Sequence, residues 1–297
     1  MYHEPVLLKE SIEGLHINPE GIYVDVTYGG GGHSGEILKH LSTGSLIAFD
    51  QDQDALKNKP DDERVVLINQ NFRYMRNFLK LYKADPVDGI LADLGVSSHQ
   101  FDTAERGFSL RFEGDLDLRM NQRKDLTAAK IINSYSPAKL KEILIQYGEL
   151  KNAGRIVSKI ETARSENEIK TTAQIKEILK PLVPPNQENK FLARVFQALR
   201  IEVNDELGAL KDFLEQCPDM LKSGGRLVVI TYHSLEDRLV KNFIKAGNFE
   251  GEVEKDFYGN IQSVFRPVNK KPLIPTEEEI KRNNRARSAK LRIAEKI

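Results

Sequence analysis

The run Tyr23-Val-Asp-Val-Thr-Tyr-Gly-Gly-Gly-Gly-His33 constrains the fold more than any other stretch of this chain. A short β-branched segment ends in an acid and a threonine, then breaks into four consecutive glycines ahead of a segment with helical spacing. Glycine permits tight turns with φ > 0 and lets a ligand approach the main chain closely. Such a strand–loop–helix opens a nucleotide-binding α/β unit. A second acid, Asp50, closes the next apolar run (Ser45-Leu-Ile-Ala-Phe-Asp50). It lies about 20 residues on, where such folds hold ribose hydroxyls. The pair points to a cofactor with an adenosyl group. A glycine-rich hinge is the plainer alternative, and Asp50 in this place argues against it.

From Gly21 to Val96 short β-rich runs (Ile22–Val26, Leu46–Phe49, Val65–Ile68, Val87–Ala92) alternate with helical segments such as Glu36–Leu41 and Tyr74–Tyr82. Alternation of this kind predicts a parallel sheet with crossover helices. It stops after about residue 103. Residues 126–203 carry apolar residues at three- and four-residue spacing, punctuated by Pro137, Gly148, Pro181 and the Pro184-Pro185 pair. This reads as a helical insertion. The α/β pattern then resumes with a helix over Glu206–Leu221, a turn at Lys222–Gly225, a buried strand over Arg226–Thr231 and a helix over Glu236–Lys245. Two strands are expected in the tail, near Ile261–Phe265 and Ala289–Ala294, with a basic loop Lys281–Arg287 between them. The expected division is therefore 1–103, 104–205 and 206–297, the outer two segments forming one α/β domain.

The 297 residues suffice for one large domain or two smaller ones. No apolar run approaches the roughly 18 residues of a membrane span, and the N-terminal residues lack a signal-peptide pattern. The chain is expected to be cytoplasmic, with no membrane partner. The single cysteine, Cys217, excludes an intrachain disulfide framework and a cysteine-based metal cluster, and the histidines show no metal-ligand spacing. Net charge is zero, which argues against nucleic acid, yet the charge is unevenly spread. Residues 1–103 hold 9 Lys+Arg against 16 Asp+Glu, while 104–205 hold 18 against 14 and 262–297 hold 10 against 4. Solvated helix faces and an RNA-facing surface both account for this.

Three motifs carry candidate chemistry. Gly30-x-Gly32-x-x-Gly35 satisfies the dinucleotide fingerprint, in which a pyrophosphate meets a helix N-terminus. Asp25-x-Thr27-x-Gly29-x-Gly31 equally fits a methyl-donor site, where the loop lies beside a zwitterionic amino-acid moiety. The second motif, Asp88–Asp102, delivers Asp93 and then Ser97, Ser98 and Gln100 at a strand end, where open α/β sheets keep their chemistry. Its bland alternative is a capping turn made by the serines. The third, Tyr232-His233, follows the strand Arg226–Thr231 and suits stacking on a base or hydrogen-bonding its edge. A structural histidine is the competing reading. Cys217 lies in a helical stretch away from every strand-end loop, so carbon methylation through a cysteine adduct is excluded. Direct transfer to nitrogen or oxygen needs alignment only.

Gly-Gly-Gly-His (30–33), Asp-Leu-Gly-Val-Ser-Ser (93–98), Glu-Arg-Gly-Phe-Ser (105–109), Leu-Asp-Leu-Arg-Met (116–120), His-Ser-Leu-Glu-Asp-Arg (233–238) and Arg-Ala-Arg-Ser (285–288) occur in this order. Together they resemble the bacterial 16S rRNA (cytosine-N4) methyltransferases, the RsmH or MraW family, over nearly the whole chain. The resemblance implies a class I, Rossmann-like methyltransferase fold with an all-helical insertion that recognises RNA. It implies S-adenosylmethionine as cofactor, 16S rRNA in the small ribosomal subunit as partner, and N4 of a decoding-region cytidine as acceptor. Carried over by position, the cofactor contacts fall on Gly31, Gly32, His33, Asp50, Phe72, Asp93 and Gln100. The catalytic candidates are Ser97, Tyr232 and His233. The chain departs from the family where Gly30 replaces a common arginine, His99 a common proline and Tyr232 a common phenylalanine. A family that usually has proline at position 99 cannot depend on an imidazole there. Two rivals stand beside this reading: an NAD-dependent enzyme, and a non-catalytic ribosome-assembly factor built on a methyltransferase fold.

Overall fold

A computed structural model describes residues 5–253 and 263–297. Along the chain, helix α1 (Leu8–Leu15) precedes β1 (Ile22–Asp25), α2 (Gly32–His40), β2 (Ser45–Phe49), β3 (Val65–Ile68), α3 (Met75–Leu81) and β4 (Val87–Asp93). Six helices follow: α4 (Ser98–Asp102), α5 (Ala128–Ser134), α6 (Pro137–Gln146), α7 (Ala153–Glu166), α8 (Thr172–Leu179) and α9 (Glu188–Asn204). The chain then runs through α10 (Glu206–Met220), β5 (Leu221–Thr231), α11 (Ser234–Ala246), β6 (Phe265–Pro267), α12 (Glu277–Arg282) and β7 (Lys290–Lys296). Two compact units result, one formed by Met1–Gly95 with Leu207–Ile297, the other by Val96–Glu206.

The first unit is a seven-stranded sheet in the order β3-β2-β1-β4-β5-β7-β6. The first five strands in that order are parallel, while β7 runs antiparallel to β5 and β6 antiparallel to β7. This is the class I methyltransferase arrangement. Strand order reverses between β1 and β4, and that switch point is where open α/β sheets bind ligands, beyond the carboxyl ends of the strands. Both faces are covered, as the near-continuous apolar runs demand. Successive residues point to opposite faces. Val24, Ile90 and Val229 join Leu79, Phe213, Cys217 and Phe243 on one side. Tyr23, Leu91 and Val228 join Leu7, Leu15, Ile37 and Ala289 on the other.

The second unit has its own core, in which Ile131, Leu140, Ile143, Ile156, Ile160, Ile175, Val195 and Leu199 are fully buried. The helical spacing of residues 126–203 was the signal for it. The division falls after Gly95 rather than after residue 103, because Val96 and Phe101 pack against the helical core. Among the described residues no helix is long and apolar enough to cross a membrane.

Three expectations need correction. Lys222–Gly225 is no separate turn: it bulges within β5, where the pairing steps from Val87↔Leu221 to Gly89↔Arg226. The stretch Lys281–Arg287 is not loop but the end of α12 followed by a 3-10 turn, Asn284–Ser288. Asn283 acts as the cap between them, its side chain accepting the Arg285 N–H. The tail strand expected near Ile261–Phe265 is observed as Phe265–Pro267, and residues 261–262 lie outside the described residues.

Candidate active site

The carboxyl ends of the parallel strands bring three acids, Asp25, Asp50 and Asp93, and a histidine, His33, into one region of the first unit. Asp25 ends β1 and is 1% exposed. Its Oδ2 accepts the Ser34 hydroxyl at 2.6 Å and its Oδ1 accepts the Thr27 N–H at 3.0 Å, yet burial still raises its pKa. Asp50 follows β2 and accepts the N–H groups of Gly29 (2.7 Å) and Asp52 (2.8 Å). It is pushed up to about 6, chiefly by burial. Asp93 ends β4 and is likewise pushed up to about 6 by burial, against the lowering effects of His33 and the Tyr232 hydroxyl. The Asp93 N–H donates to Thr27 Oγ1 at 2.6 Å, which joins the β1 and β4 ends.

The glycine loop turns between these acids. Gly31 sits at φ +78°, and a Cβ there would lie 2.6 Å from the Tyr28 hydroxyl. The hydroxyl is itself fixed, donating to the Asn58 carbonyl at 2.6 Å. Among the described residues no side chain caps the start of helix α2 at Gly32, and the N-terminal N–H groups of a helix suit an anionic ligand. His33, 6% exposed, has Nε2 3.0 Å from the Val6 carbonyl and Nδ1 3.8 Å from Asp93 Oδ2. A carbonyl only accepts, so Nε2 carries the proton and Nδ1 faces the carboxylate.

Phe72 opens a 3-10 turn after β3 and meets Phe213 edge to face, ring centroids 5.5 Å apart. That turn is tied to the Asp50 end of β2 through Asn69, which donates to the Asp50 carbonyl, and Asn71, which donates to Gln51. Tyr232 follows β5. Its hydroxyl donates to Asp93 Oδ1 at 2.7 Å, and a Cβ on Gly95 would lie 3.2 Å from its ring. Burial raises the Tyr232 pKa well above the usual phenol range, with Asp93 adding to the effect. His233 caps α11: its Nδ1 accepts the Glu236 N–H, while Glu236 Oε2 accepts the N–H groups of Tyr232 and His233.

Gly31, Gly32, His33, Asp50, Phe72, Asp93, Tyr232 and His233 thus belong to the first unit. Ser97 and Gln100 belong to the second, where they form a capping box on α4: Ser97 Oγ accepts the Gln100 N–H and Gln100 Oε1 accepts the Ser97 N–H. Sequence reasoning missed the segment Pro5–Leu7, which lies over the glycine loop, and Glu279, which holds it; no periodicity or motif marks either. Cys217 is fully buried in α10 and its thiol is pushed well up by burial, so it cannot serve as a nucleophile.

The arrangement is chemically one-sided. Asp25 acts on both Asp50 and Asp93 to disfavour their ionisation, Glu236 adds to the effect on Asp93, and His33 opposes it. A pyrophosphate brought to this loop would meet like charge at Asp25, Asp50 and Asp93. A ligand with cationic groups and hydroxyl donors meets acceptors, and an α-carboxylate finds the N-terminus of α2.

A family model described as the MraW methylase family matches residues 1–297. A Parabacteroides distasonis protein named ribosomal RNA small subunit methyltransferase H is 58% identical over 298 residues, covering 100% of this chain and 98% of that protein. A Cytophaga hutchinsonii protein of the same name is 58% identical over 298 residues, covering 100% of both. Among solved structures, an rRNA methylase from Streptococcus thermophilus aligns over 98% of this chain and 93% of that one, with 14% identity and a TM-score of 0.43.

Proposed function

The chain belongs to the MraW methylase family, and from that premise we propose that it methylates 16S rRNA, transferring the methyl group of S-adenosylmethionine to the exocyclic N4 of a decoding-region cytidine. One observation carries this reading: the cluster of carboxylates around the glycine loop, with Asp25 buried and Asp50 and Asp93 half-buried. It disfavours the pyrophosphate of NAD and suits a cofactor with a sulfonium and an α-ammonium group. The donor set fits. Each Asp50 oxygen takes one backbone N–H and keeps a lone pair for a ribose hydroxyl. Asp93 accepts one hydrogen bond from Tyr232 and retains acceptor capacity for an ammonium. Gly31, Gly32 and His33 would hold the methionine end, Phe72 would flank the adenine, and Gln100 is assigned to the cofactor by its position in the family motif.

When bound, S-adenosylmethionine supplies an electrophilic methyl group on a sulfonium, so the chain need supply no nucleophile; the inert Cys217 accords with this. The chain must take the cytosine out of its stack and hold N4 in line, because the amine lone pair is delocalised into the ring. We assign this task to Tyr232, whose ring is fixed by Gly95 and Asp93, and to His233 and Ser97. N4 loses its proton only as it becomes cationic, so no strong base is required. Residues 104–205 and the basic stretch containing Arg282, Arg285 and Arg287 are assigned to RNA phosphates, which position without specifying sequence.

The test is single-turnover transfer from labelled cofactor to small subunits lacking the modification, with mass spectrometry of the nucleosides. N4-methylcytidine at one decoding-region position is the expected product. Binding without transfer would favour the assembly-factor reading.

A further inference from the structure

Helix α12 begins with Thr276-Glu-Glu-Glu279, the spelling of a capping box, in which the glutamate at the third helical position reaches back to the cap residue's N–H. Half of the box forms: Thr276 Oγ1 accepts the Glu279 N–H at 3.2 Å. The Glu279 carboxylate is diverted. Its Oε1 accepts the N–H of Leu7 at 2.7 Å, 272 residues away in the chain.

What Leu7 does makes this contact informative. It starts α1 without a side-chain cap and sits at φ 50°, ψ 39°, a left-handed conformation that a branched residue holds only when its surroundings impose it. Its side chain is 1% exposed, in the same apolar cluster as Ala286 and Ala289 of the C-terminal segment. The two preceding residues lie on the glycine loop. The Val6 carbonyl accepts a hydrogen bond from the His33 Nε2–H, and the ring's Nδ1 then faces Asp93. Pro5 covers Gly32 so closely that a Cβ there would lie 2.3 Å from its Cγ. Glu279 also stands near enough to Tyr232 to contribute to the rise in that phenol's pKa.

We propose that Glu279 is a positioning residue for methyl transfer: its carboxylate clasps the segment Pro5–Leu7 onto the glycine loop and, through Val6, fixes the tautomer and orientation of His33. The inference rests on the reading that Gly31–His33 holds the cofactor's methionine end. Glu279 touches neither cofactor nor RNA in this role. It acts by keeping a short segment, whose Val6 and Leu7 side chains pack in the adjoining apolar cluster, in the one place where His33 presents Nδ1 to Asp93.

The experiment is calorimetric titration of the full chain with S-adenosylmethionine in Glu279→Ala, Glu279→Gln, His33→Ala and the Glu279→Ala/His33→Ala double variant. Glu279→Ala should weaken affinity five- to thirtyfold. Glu279→Gln, whose amide oxygen still accepts the Leu7 N–H, should stay within threefold of wild type. In the His33→Ala background the Glu279→Ala effect should shrink below twofold, because the clasp works through His33. Wild-type affinity in His33→Ala alone would overturn the loop assignment. A clear loss in His33→Ala together with wild-type affinity in Glu279→Ala would overturn the clasp alone. If Glu279→Ala does not fold, amide exchange of the wild type decides. Saturating S-adenosylhomocysteine should slow exchange at Leu7, and an unchanged rate there overturns the proposal.

Discussion

Asp50 and Asp93 titrate where the chemistry needs them charged. Both are pushed up to about 6 by burial, from the ordinary value near 3.8. Between those limits the folded, ligand-free protein holds protons that the unfolded chain has released. These two groups therefore make its stability fall as pH rises from about 4 to 6. A cationic ligand reverses the sense, because it binds the ionised form. Affinity for S-adenosylmethionine should climb from pH 5 to 7 and then level. Calorimetry at pH 6 in buffers of different ionisation enthalpy should show proton release on binding; uptake would contradict the assignment. Asp50→Ala removes a charge-assisted hydrogen bond worth about 1.5–3 kcal/mol, so affinity should fall by roughly ten- to a hundredfold. His233 requires a different design, since it caps α11 and its loss alone costs about 0.5–2 kcal/mol of stability. His233→Asn keeps a capping acceptor. Slowed single-turnover methylation in His233→Asn, with cofactor affinity and melting temperature retained, would speak for contact with the base. Wild-type rates in both His233→Asn and Ser97→Ala would leave these two as caps only.

At the level of elements, two glycines of one loop–helix segment do opposite things. Gly31 holds φ +78° with the Tyr28 hydroxyl where a Cβ would go, whereas Gly35 lies inside α2 with open space around its Cβ position. Gly31→Ala should distort the loop and cost at least tenfold in cofactor affinity. Gly35→Ala should raise stability by about 0.5–1 kcal/mol, the helix-propensity difference, and leave affinity unchanged. Thermal melts and titrations of the pair check this; equal effects would mean that the loop tolerates a side chain. The fingerprint Gly30-x-Gly32-x-x-Gly35 is legible, yet the loop glycines held at positive φ, Gly29 and Gly31, are not among its fixed positions. The same limit recurs elsewhere. The strands up to Asp93 were readable because burial on both faces writes continuous β-branched runs. The bulge at Lys222–Gly225 reads as a turn because Gly224-Gly225 spells one, and only pairing with β4 keeps the strand continuous. The stretch Lys281–Arg287 reads as loop because the caps Thr276 and Asn283 lie among charged residues with little apolar periodicity. Asp50, Asp93 and the loop stand out as candidates in the sequence because they end apolar runs. Glu279 was invisible because its partner is at the opposite end of the sequence.

Across the whole molecule, a net charge of zero conceals two units of opposite character. The α/β unit gathers carboxylates at its strand ends, while residues 104–205 of the helical unit carry 18 basic against 14 acidic residues, and Lys130, Lys141, Arg155, Lys159, Lys190 and Arg194 are exposed on its helices. On and just before α7, Lys151, Arg155 and Lys159 recur every four residues and are all exposed, while Ile156, Val157 and Ile160 turn into the core. Four-residue spacing places the three cations along one side of a helix, a form suited to a row of phosphates. Each phosphate neutralised releases counterions, so each productive contact contributes about 0.7–0.9 to the slope of log affinity against log salt. Replacing all three by glutamine should weaken binding to the small subunit and lower that slope by up to about 2–3. Cofactor affinity should not change, because the cofactor loop belongs to a unit with its own core. Titrations across 50–200 mM salt, a range over which such slopes are resolved, decide the matter. A slope equal to wild type would make the stripe ordinary solvated charge and move the RNA contacts to the segment with Arg282, Arg285 and Arg287. A fall in cofactor affinity would mean that the two units do not divide the work as their charges suggest.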